Sequence, residues 1–327
     1  MPYTDLVVVS PVFDDWEAVA MLLPKLDAEL AARGAAARVL LVDDGSIQCV
    51  PASLVTSQLT AITEVRVLSL RRNVGHQRAL AVGLAYIHDK MACDAVVVMD
   101  ADGEDDPHDI PLLLAEVERQ QGRSIIFARR ARRSEGIVFA ALYRLYRSVH
   151  RLMTGIPVQV GNFSVVPFPL LRRLVVMSDL WNHYAAAVFQ SRIVYGMVPT
   201  ARARRLAGRS RMNFVALVAH GLSAIAVFAD RVGVRLLITA IAALGVTLAI
   251  VVGASVVWFM TGRAPAGWLV AAVIVGLVLV VQTVGAASLF VLQVLFARAT
   301  AAFIPSRDYP FFVDSDEPIW RRAAGHV

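Results

Sequence analysis

Two uncharged apolar runs, Leu236–Gly262 and Ala264–Ala297, restrict this chain more than any other feature. As helices at about 1.5 Å per residue, each reaches about 40 Å or more, beyond the roughly 30 Å of a bilayer core. Backbone in lipid must satisfy its own hydrogen bonds, so the runs read as two tilted spanning helices, about 234–260 and 267–296. Arg263-Ala264-Pro265 is the short loop between them. Composition agrees, since 57% of residues are hydrophobic and mean hydropathy is +0.60, above the range of ordinary soluble proteins. Arg231 and Arg235 flank the first run, Arg298 and Arg307 flank the second, and the loop has only Arg263. The positive-inside rule then places both ends in the cytoplasm. Trp258 and Trp268 fall where an outer aromatic belt would lie. Gly245, Gly253, Gly276 and Gly285 offer close helix packing without the dimer spacing. The first ten residues lack a basic region, and Leu6–Val9 is too short for a signal peptide, so the N-terminal part is expected to stay cytoplasmic.

Ahead of these runs, short β-branched stretches alternate with helical periodicity. Asp5–Ser10, Arg38–Val42, Val65–Leu70, Ala95–Met99 and Ile125–Ala128 predict strands. One helix carries Ala18, Leu22, Leu23, Leu26 and Leu30 on a single face and ends near Gly34; another runs from about Gln77 to Lys90. The alternation predicts an α/β fold, a mostly parallel sheet with helices on both faces and its polar loops gathered on one edge.

The fourth predicted strand runs straight into acid. Asp100, Asp102, Glu104, Asp105 and Asp106 crowd into seven positions, which is costly unless positive charge sits there. Asp100 and Asp102 alternate about Ala101 and can present oxygens together. Hard oxygen ligands suit Mg²⁺ or Mn²⁺ shared with a substrate's phosphates; the alternative is an acidic turn capping a helix at Pro107. Asp43 or Asp44 offers a hydrogen bond to a base or ribose, or an Asx turn closed by Gly45. Asn73-Val74-Gly75 brings backbone near a phosphate, or Gly75 merely supplies φ > 0. For His76 a structural hydrogen bond is the default, and packing is the default for Trp181-Asn182-His183-Tyr184.

Charge is unevenly spread. Residues 1–120 hold 9 Lys/Arg against 19 Asp/Glu, whereas residues 121–235 hold 18 Arg against 3 Asp/Glu. The basic segment lacks aromatic interleaving and any nucleic-acid module, so anionic lipid headgroups and phosphates, not nucleic acid, are its expected partners. Phe139–Leu152 sets Leu142, Leu145, Tyr146 and Val149 opposite Arg144, Arg147 and Arg151, an amphipathic helix for anionic lipid or an ordinary surface helix. Arg202, Arg204, Arg205, Arg209 and Arg211 follow, and arginine grips phosphate oxygens bidentately. Asn213–Ala229 reads as an interfacial helix. Cys49 and Cys93 have no metal-ligand spacing and imply no disulfide framework. The tail from Pro305 to Val327 is expected to be loosely ordered.

Three motifs in order carry a resemblance: Asp-Asp-Gly-Ser at 43–46, Asn-Val-Gly-His-Gln-x-Ala-Leu at 73–80, and Met-Asp-Ala-Asp-x-Glu-Asp-x-Pro at 99–107. Together they resemble the signature series of family 2 glycosyltransferases with the GT-A fold, in the branch of dolichol-phosphate mannose synthase-like, polyprenyl-phosphate glycosyltransferases. Gly161-Asn162-Phe163 and Gly208-Arg209-Ser210-Arg211-Met212 resemble two further elements of that branch. The resemblance implies a GT-A Rossmann-like sheet, then a juxtamembrane amphipathic helix and a two-helix transmembrane hairpin. It implies that Pro11, Phe13, Asp15, Asp43 and Asp44 line the nucleotide pocket, with Asn73, Gly75 and Ala101 beside them. Asp100 and Asp102 would hold the diphosphate through a divalent metal, Mg²⁺ or Mn²⁺, and Glu104, where the branch has Gln, would be an added ligand. Arg129, then Arg133, match the basic residue after the fifth strand. With Arg205, Arg209, Ser210 and Arg211 they are the expected grip on an acceptor phosphate. The branch's Tyr-Asn-Glu and Lys-Tyr are here Phe13-Asp14-Asp15 and Arg211-Met212, which implies a subgroup with its own donor or lipid.

The expected activity is inverting transfer of a sugar from a UDP- or GDP-linked nucleotide-sugar to a membrane polyprenyl phosphate, for glycan or cell-envelope assembly. The expected organisation is a cytoplasmic catalytic domain at 1–212, an interfacial helix at 213–231, two transmembrane helices within 232–297 and a cytoplasmic tail at 298–327, in a bacterial inner membrane. A homo-oligomer is left open. Two other readings stand beside it. One is a membrane glycosyltransferase with another acceptor, although a processive synthase would carry Gln-x-x-Arg-Trp and more spans. The other is a non-catalytic membrane-anchored scaffold binding nucleotide or lipid.

Overall fold

The computed structural model describes residues 3–55, 58–130, 148, 151–155, 160–201, 203–208, 221–262, 267–299 and 302–322. It divides into two compact units, one comprising Met1–Leu142, Val158–Val227 and Phe303–Val327, the other Tyr143–Pro157 and Phe228–Ala302.

The first unit is built on an eight-stranded sheet. Its strands are β1 (Asp5–Val12), β2 (Ala36–Asp43), β3 (Ile62–Leu70), β4 (Ala95–Val98), β5 (Ile125–Arg130), β6 (Ser164–Pro167), β7 (Tyr195–Thr200) and β8 (Val313–Arg321), in the order β7-β5-β6-β4-β1-β2-β3-β8. β4, β1, β2 and β3 run parallel, as do β5 and β7; β6 and β8 run antiparallel to their neighbours. The sheet is therefore mixed, with a parallel centre. Its helices include α1 (Trp16–Arg33), α2 (His76–Lys90) and α3 (Ile110–Arg119), with short α4 (Phe168–Leu174) and α5 (Tyr184–Gln190) further on.

The central strands are apolar throughout because both sheet faces are covered. Two separate clusters of buried side chains result. Leu6, Val8, Leu22 and Leu26 belong to the one under α1, and Val7, Val9, Leu80 and Leu84 to the one under α2. α1 buries the five residues of its predicted face. It ends at Gly34, whose φ of 71° closes the last turn, a conformation cheap for glycine alone. Asp27, only 7% exposed, accepts the N–H groups of Thr60, Ala61 and Ile62 and the Thr60 hydroxyl, and so fixes the start of β3.

The tail departs from expectation. Val313–Arg321 is no loose end but the antiparallel partner of β3. Arg66 links Glu64 to Asp316, and the Tyr86 hydroxyl donates to the same Asp316. Pro318 and the charges of Asp314, Asp316 and Glu317 suit an outer edge strand that must not recruit another.

The second unit contains α6 (Ala229–Thr261) and α7 (Gly267–Ala299), long and apolar enough to cross a membrane, with mean hydropathy 2.6 and 2.5. Of the four glycines expected between them, only Gly276 faces the partner helix closely, where an added Cβ would lie 3.7 Å from Thr247 Cγ2; at Gly233 an added Cβ would come nearer still, 3.4 Å from the Phe290 ring. Residues 139–147, 149–150, 209–220 and 263–266 lie outside the described residues, and with them most of the two expected amphipathic helices.

Candidate active site

Strand order in the parallel centre reverses between β1 and β4: β1 leads through α1 to β2 on one side, and β3 leads through α2 to β4 on the other. Ligands of open α/β sheets bind at the carboxyl ends of the strands beside such a reversal. The register brings those ends level, with Val9 opposite both Leu40 and Val98, and Val12 opposite Asp43. Four loops therefore meet there: Phe13–Asp15, Asp44–Ser46, Arg71–Gly75 and Met99–Asp106.

Asp14, Asp43 and Asp44, all in or beside the first two loops, close the first three loops and tie them to one another. Asp14 sits at φ 52° and accepts the N–H groups of Ile47 and Gln48 at 2.8 and 2.9 Å. Asp43 accepts the Ser46 N–H at 2.9 Å, the Asx turn weighed above. Asp44 is 3% exposed, and its two oxygens accept the Val74 and Gly75 N–H groups at 2.7 and 2.9 Å. Burial pushes the Asp44 carboxyl above the ordinary range against the pull of those amides. Asp44 thus holds the β3–α2 turn together, and the amides expected near a phosphate are taken by it. Gly45 is needed for closeness as well as for its φ of 71°, since a Cβ there would lie 2.7 Å from the Asn73 nitrogen. Gly75, at φ 92°, serves the positive-φ role.

The acidic loop divides its charges. Asp105, 2% exposed, accepts the Asp100 N–H at 2.9 Å, and Asp106 accepts the His108 N–H at 3.1 Å to cap the turn at Pro107. The capping alternative is thus correct for Asp106. Asp100 and Asp102 face side chains instead. His76 Nε2 lies 3.2 Å from Asp100 Oδ1, and Arg205 Nη1 lies 2.8 Å from Asp102 Oδ2. Desolvation lowers the His76 pKa, while Asp100, ahead of Asp44 and Asp105, raises it. With 43% of the side chain open to solvent, the carboxylates prevail and the net shift is upward. Asn162 Nδ2 also reaches His76 Nε2, at 2.9 Å; Asn162 Oδ1 accepts from Gln77, whose Oε1 accepts the Tyr184 N–H at 2.7 Å. The motif Gly161-Asn162-Phe163 is thereby tied to the loop that carries His76.

Arg205 also bonds Asp15 Oδ1, at 2.7 Å, and so bridges the loops after β1 and β4 at the reversal itself. It was expected on an acceptor phosphate; here it neutralises two carboxylates. Glu104 does not join Asp100 and Asp102. Its N–H donates to Asp102 Oδ1 at 2.9 Å, and among the described residues no three His, Cys, Asp or Glu side chains converge as a metal cage. A hard divalent cation still fits. Asp100 and Asp102 are partly exposed oxygen donors, Asp102 already faces the positive charge of Arg205, and such ions complete their shell with water and phosphate.

Pro11 is buried in β1, Ala101 is buried behind the acidic pair, and Phe13 is half-buried. Asn73 is exposed on the β3–α2 turn, and Arg129 is exposed near the end of β5. Arg133, Arg209, Ser210 and Arg211 lie outside the described residues. Trp181 packs, with its ring 3.9 Å from Phe303 and 4.8 Å from Phe312 between centroids, and Tyr184 is fully buried.

The chain is similar to the undecaprenyl-phosphate 4-deoxy-4-formamido-L-arabinose transferases of Klebsiella pneumoniae (25% identical over 224 residues) and Salmonella paratyphi A (24%). Each match spans 66% of this chain and 65% of the relative's length. Two crystal structures of glucosyl-3-phosphoglycerate synthase from Mycobacterium tuberculosis share the fold. One, with phosphoglyceric acid, has a TM-score of 0.50; the other, with Mn²⁺, UDP and phosphoglyceric acid, has 0.51. Each is 18% identical and covers 71% of this chain, with 80% and 79% of the respective synthase chains aligned. The family model described as glycosyl transferase family 2 matches residues 8–175, from β1 through the acidic loop and β6, and the chain belongs to that family.

Proposed function

We propose that this chain transfers a sugar, with inversion, from a UDP- or GDP-linked nucleotide-sugar to a polyprenyl phosphate in a bacterial inner membrane, its catalytic domain and both termini in the cytoplasm. One observation carries the reading. Asp15, Asp102 and Arg205 gather at the strand-order reversal of a family 2 chain that also has two helices of membrane-crossing length. The names of the curated relatives support the acceptor class.

An acceptor phosphate is already an anion near neutral pH, so the chain need not supply a strong base or a covalent nucleophile. Its work is positioning and charge stabilisation. Pro11, Phe13, Asp15 and Asp43 would take the nucleotide, while Asp44 acts through the turn that it holds. Asp100 and Asp102 would hold a divalent cation, which when bound neutralises the leaving diphosphate. Arg129, with Arg133, Arg205, Arg209, Ser210 and Arg211, would bring in the acceptor phosphate, and the remaining arginines would meet anionic lipid.

The test is a panel of radiolabelled UDP- and GDP-sugars offered to membranes containing the chain, with Mn²⁺ or Mg²⁺ and with EDTA. The expected result is label from one donor in an organic-extractable, acid-labile lipid, lost with EDTA. Label in no lipid from any donor, with nucleotide binding intact, overturns the reading in favour of the scaffold.

A further inference from the structure

We propose that Arg205 is an internal counter-ion: it holds the acidic crevice closed in the empty protein and yields it when a metal-bound diphosphate enters, which frees the guanidinium for the acceptor phosphate. The inference rests on the transferase reading above and adds an order of binding to it.

Arg205 is held from three sides. Nη2 donates to Asp15 Oδ1 at 2.7 Å, Nη1 to Asp102 Oδ2 at 2.8 Å, and Nε to the Ala207 carbonyl at 2.9 Å. Its side chain is 17% exposed. The segment around it forms a strap over the acidic loop. The Ala203 N–H donates to Glu104 O at 3.1 Å and the Leu206 N–H to Asp102 O at 2.9 Å. Leu206 sits on Gly103, where a Cβ would come within 2.4 Å of Leu206 Cγ. The same carboxylate that fits a divalent cation is thus occupied by a guanidinium. Two cations within a few ångströms on one carboxylate repel each other, so each weakens the other's binding. The entering divalent cation brings two positive charges where the guanidinium withdraws one, and the diphosphate that it carries takes up the excess, so Asp15 and Asp102 stay compensated. In the sequence the strap runs on directly into Arg209-Ser210-Arg211, so release of Arg205 would add a phosphate-binding cation to those expected on the acceptor.

The test titrates Mn²⁺ into the purified full chain in detergent, with free Mn²⁺ read by electron paramagnetic resonance and no sugar present. Arg205→Gln should bind Mn²⁺ about tenfold more tightly than the wild type, because a charge-assisted contact to Asp102 no longer competes. Arg205→Lys, a single compact ammonium that cannot fork across Asp15 and Asp102, should bind about two- to threefold more tightly. Unchanged or weaker binding in these variants, as a purely structural Arg205 would give, overturns the proposal; if Arg205→Gln does not fold by circular dichroism, Arg205→Lys decides by its sign. A second readout is binding of a short-chain polyprenyl phosphate. In the wild type it should strengthen when Mn²⁺ and UDP or GDP are added, and in Arg205→Gln it should stay weak in both conditions; wild-type binding indifferent to Mn²⁺ and nucleotide overturns the release step. Mn²⁺ bound by none of the proteins strikes the metal assignment and this inference together, whereas normal Mn²⁺ binding without the tightening strikes this inference alone.

Discussion

The loops after β1 and β2 and the loop after β4 use the same side chain in different ways. Asp43 and Asp44, like Asp14 beside them, direct carboxylate oxygens at backbone N–H groups, and the turns they close cannot open without losing those bonds. Asp100 instead meets the His76 ring, and Asp102 gives one oxygen to the Glu104 N–H and the other to Arg205; these two side chains can swing away on a rotamer change, as a backbone amide cannot. A carboxylate oxygen on an amide is tied to its turn, whereas one that meets a side chain can exchange that partner. The acidic loop has both kinds within seven positions, since Asp105 and Asp106 are amide-bound. Position in a motif does not separate the two kinds; the partner does.

This contrast can be broken by substitution, and the largest effect belongs to the exchangeable pair. Asp102→Asn should lower transfer about 10³-fold or more while the thermal unfolding midpoint moves little; full complementation by this variant would remove Asp102 from the site. Asp44→Ala should do the reverse. It strands two partly buried amides and should cost about 1–3 kcal/mol of stability by denaturant unfolding, with activity lost only as far as the fold is. Gly45→Ala should cost about 2 kcal/mol, because the residue combines φ 71° with a contact of 2.7 Å to the Asn73 nitrogen; an unchanged midpoint would mean that the two turns are not welded there. The smallest effect is that of Asp27. Burial opposes its ionisation, but three amides and the Thr60 hydroxyl hold its carboxyl below the ordinary range. A lowered folded pKa gives stability that is complete above the unfolded value of about 3.9 and is lost as pH falls through the folded one. Asp27→Asn should therefore be less stable than the wild type by about 1–2 kcal/mol at neutral pH, and the gap should narrow in acid.

The central strands and the two long helices were legible in the sequence because each is a local pattern: β-branched runs ending in polar loops, and apolar runs longer than a bilayer core. β6, β7 and β8 were not. Ser164–Pro167 is four residues long, Tyr195–Thr200 contains Gly196 and Pro199, and Val313–Arg321 is mostly charged or polar, so their strand character comes from pairing with distant partners. In the site, spacing marked Asp100 and Asp102, the family resemblance implied Asp15 and the basic run held Arg205, but none of these could say that Arg205 binds Asp15 and Asp102, because positions 15, 102 and 205 are joined only by the fold. That Asp44 holds the β3–α2 turn while Asp43 closes an Asx turn has the same cause. Which of two adjacent aspartates is buried depends on the sheet's pleat, and Asp44 lies past the last residue of β2, turned toward Val74 and Gly75. A buried Asp next to a Gly whose Cβ would strike another loop is a three-dimensional signal with no sequence counterpart.

Mass spectrometry of the lipid product tests the central claim most directly. With purified chain, a polyprenyl phosphate and the active donor, the account predicts a product heavier than the acceptor by one anhydro-sugar and still carrying a single phosphate. A ladder of added sugars, a glycolipid without that phosphate, or unaltered acceptor would contradict it.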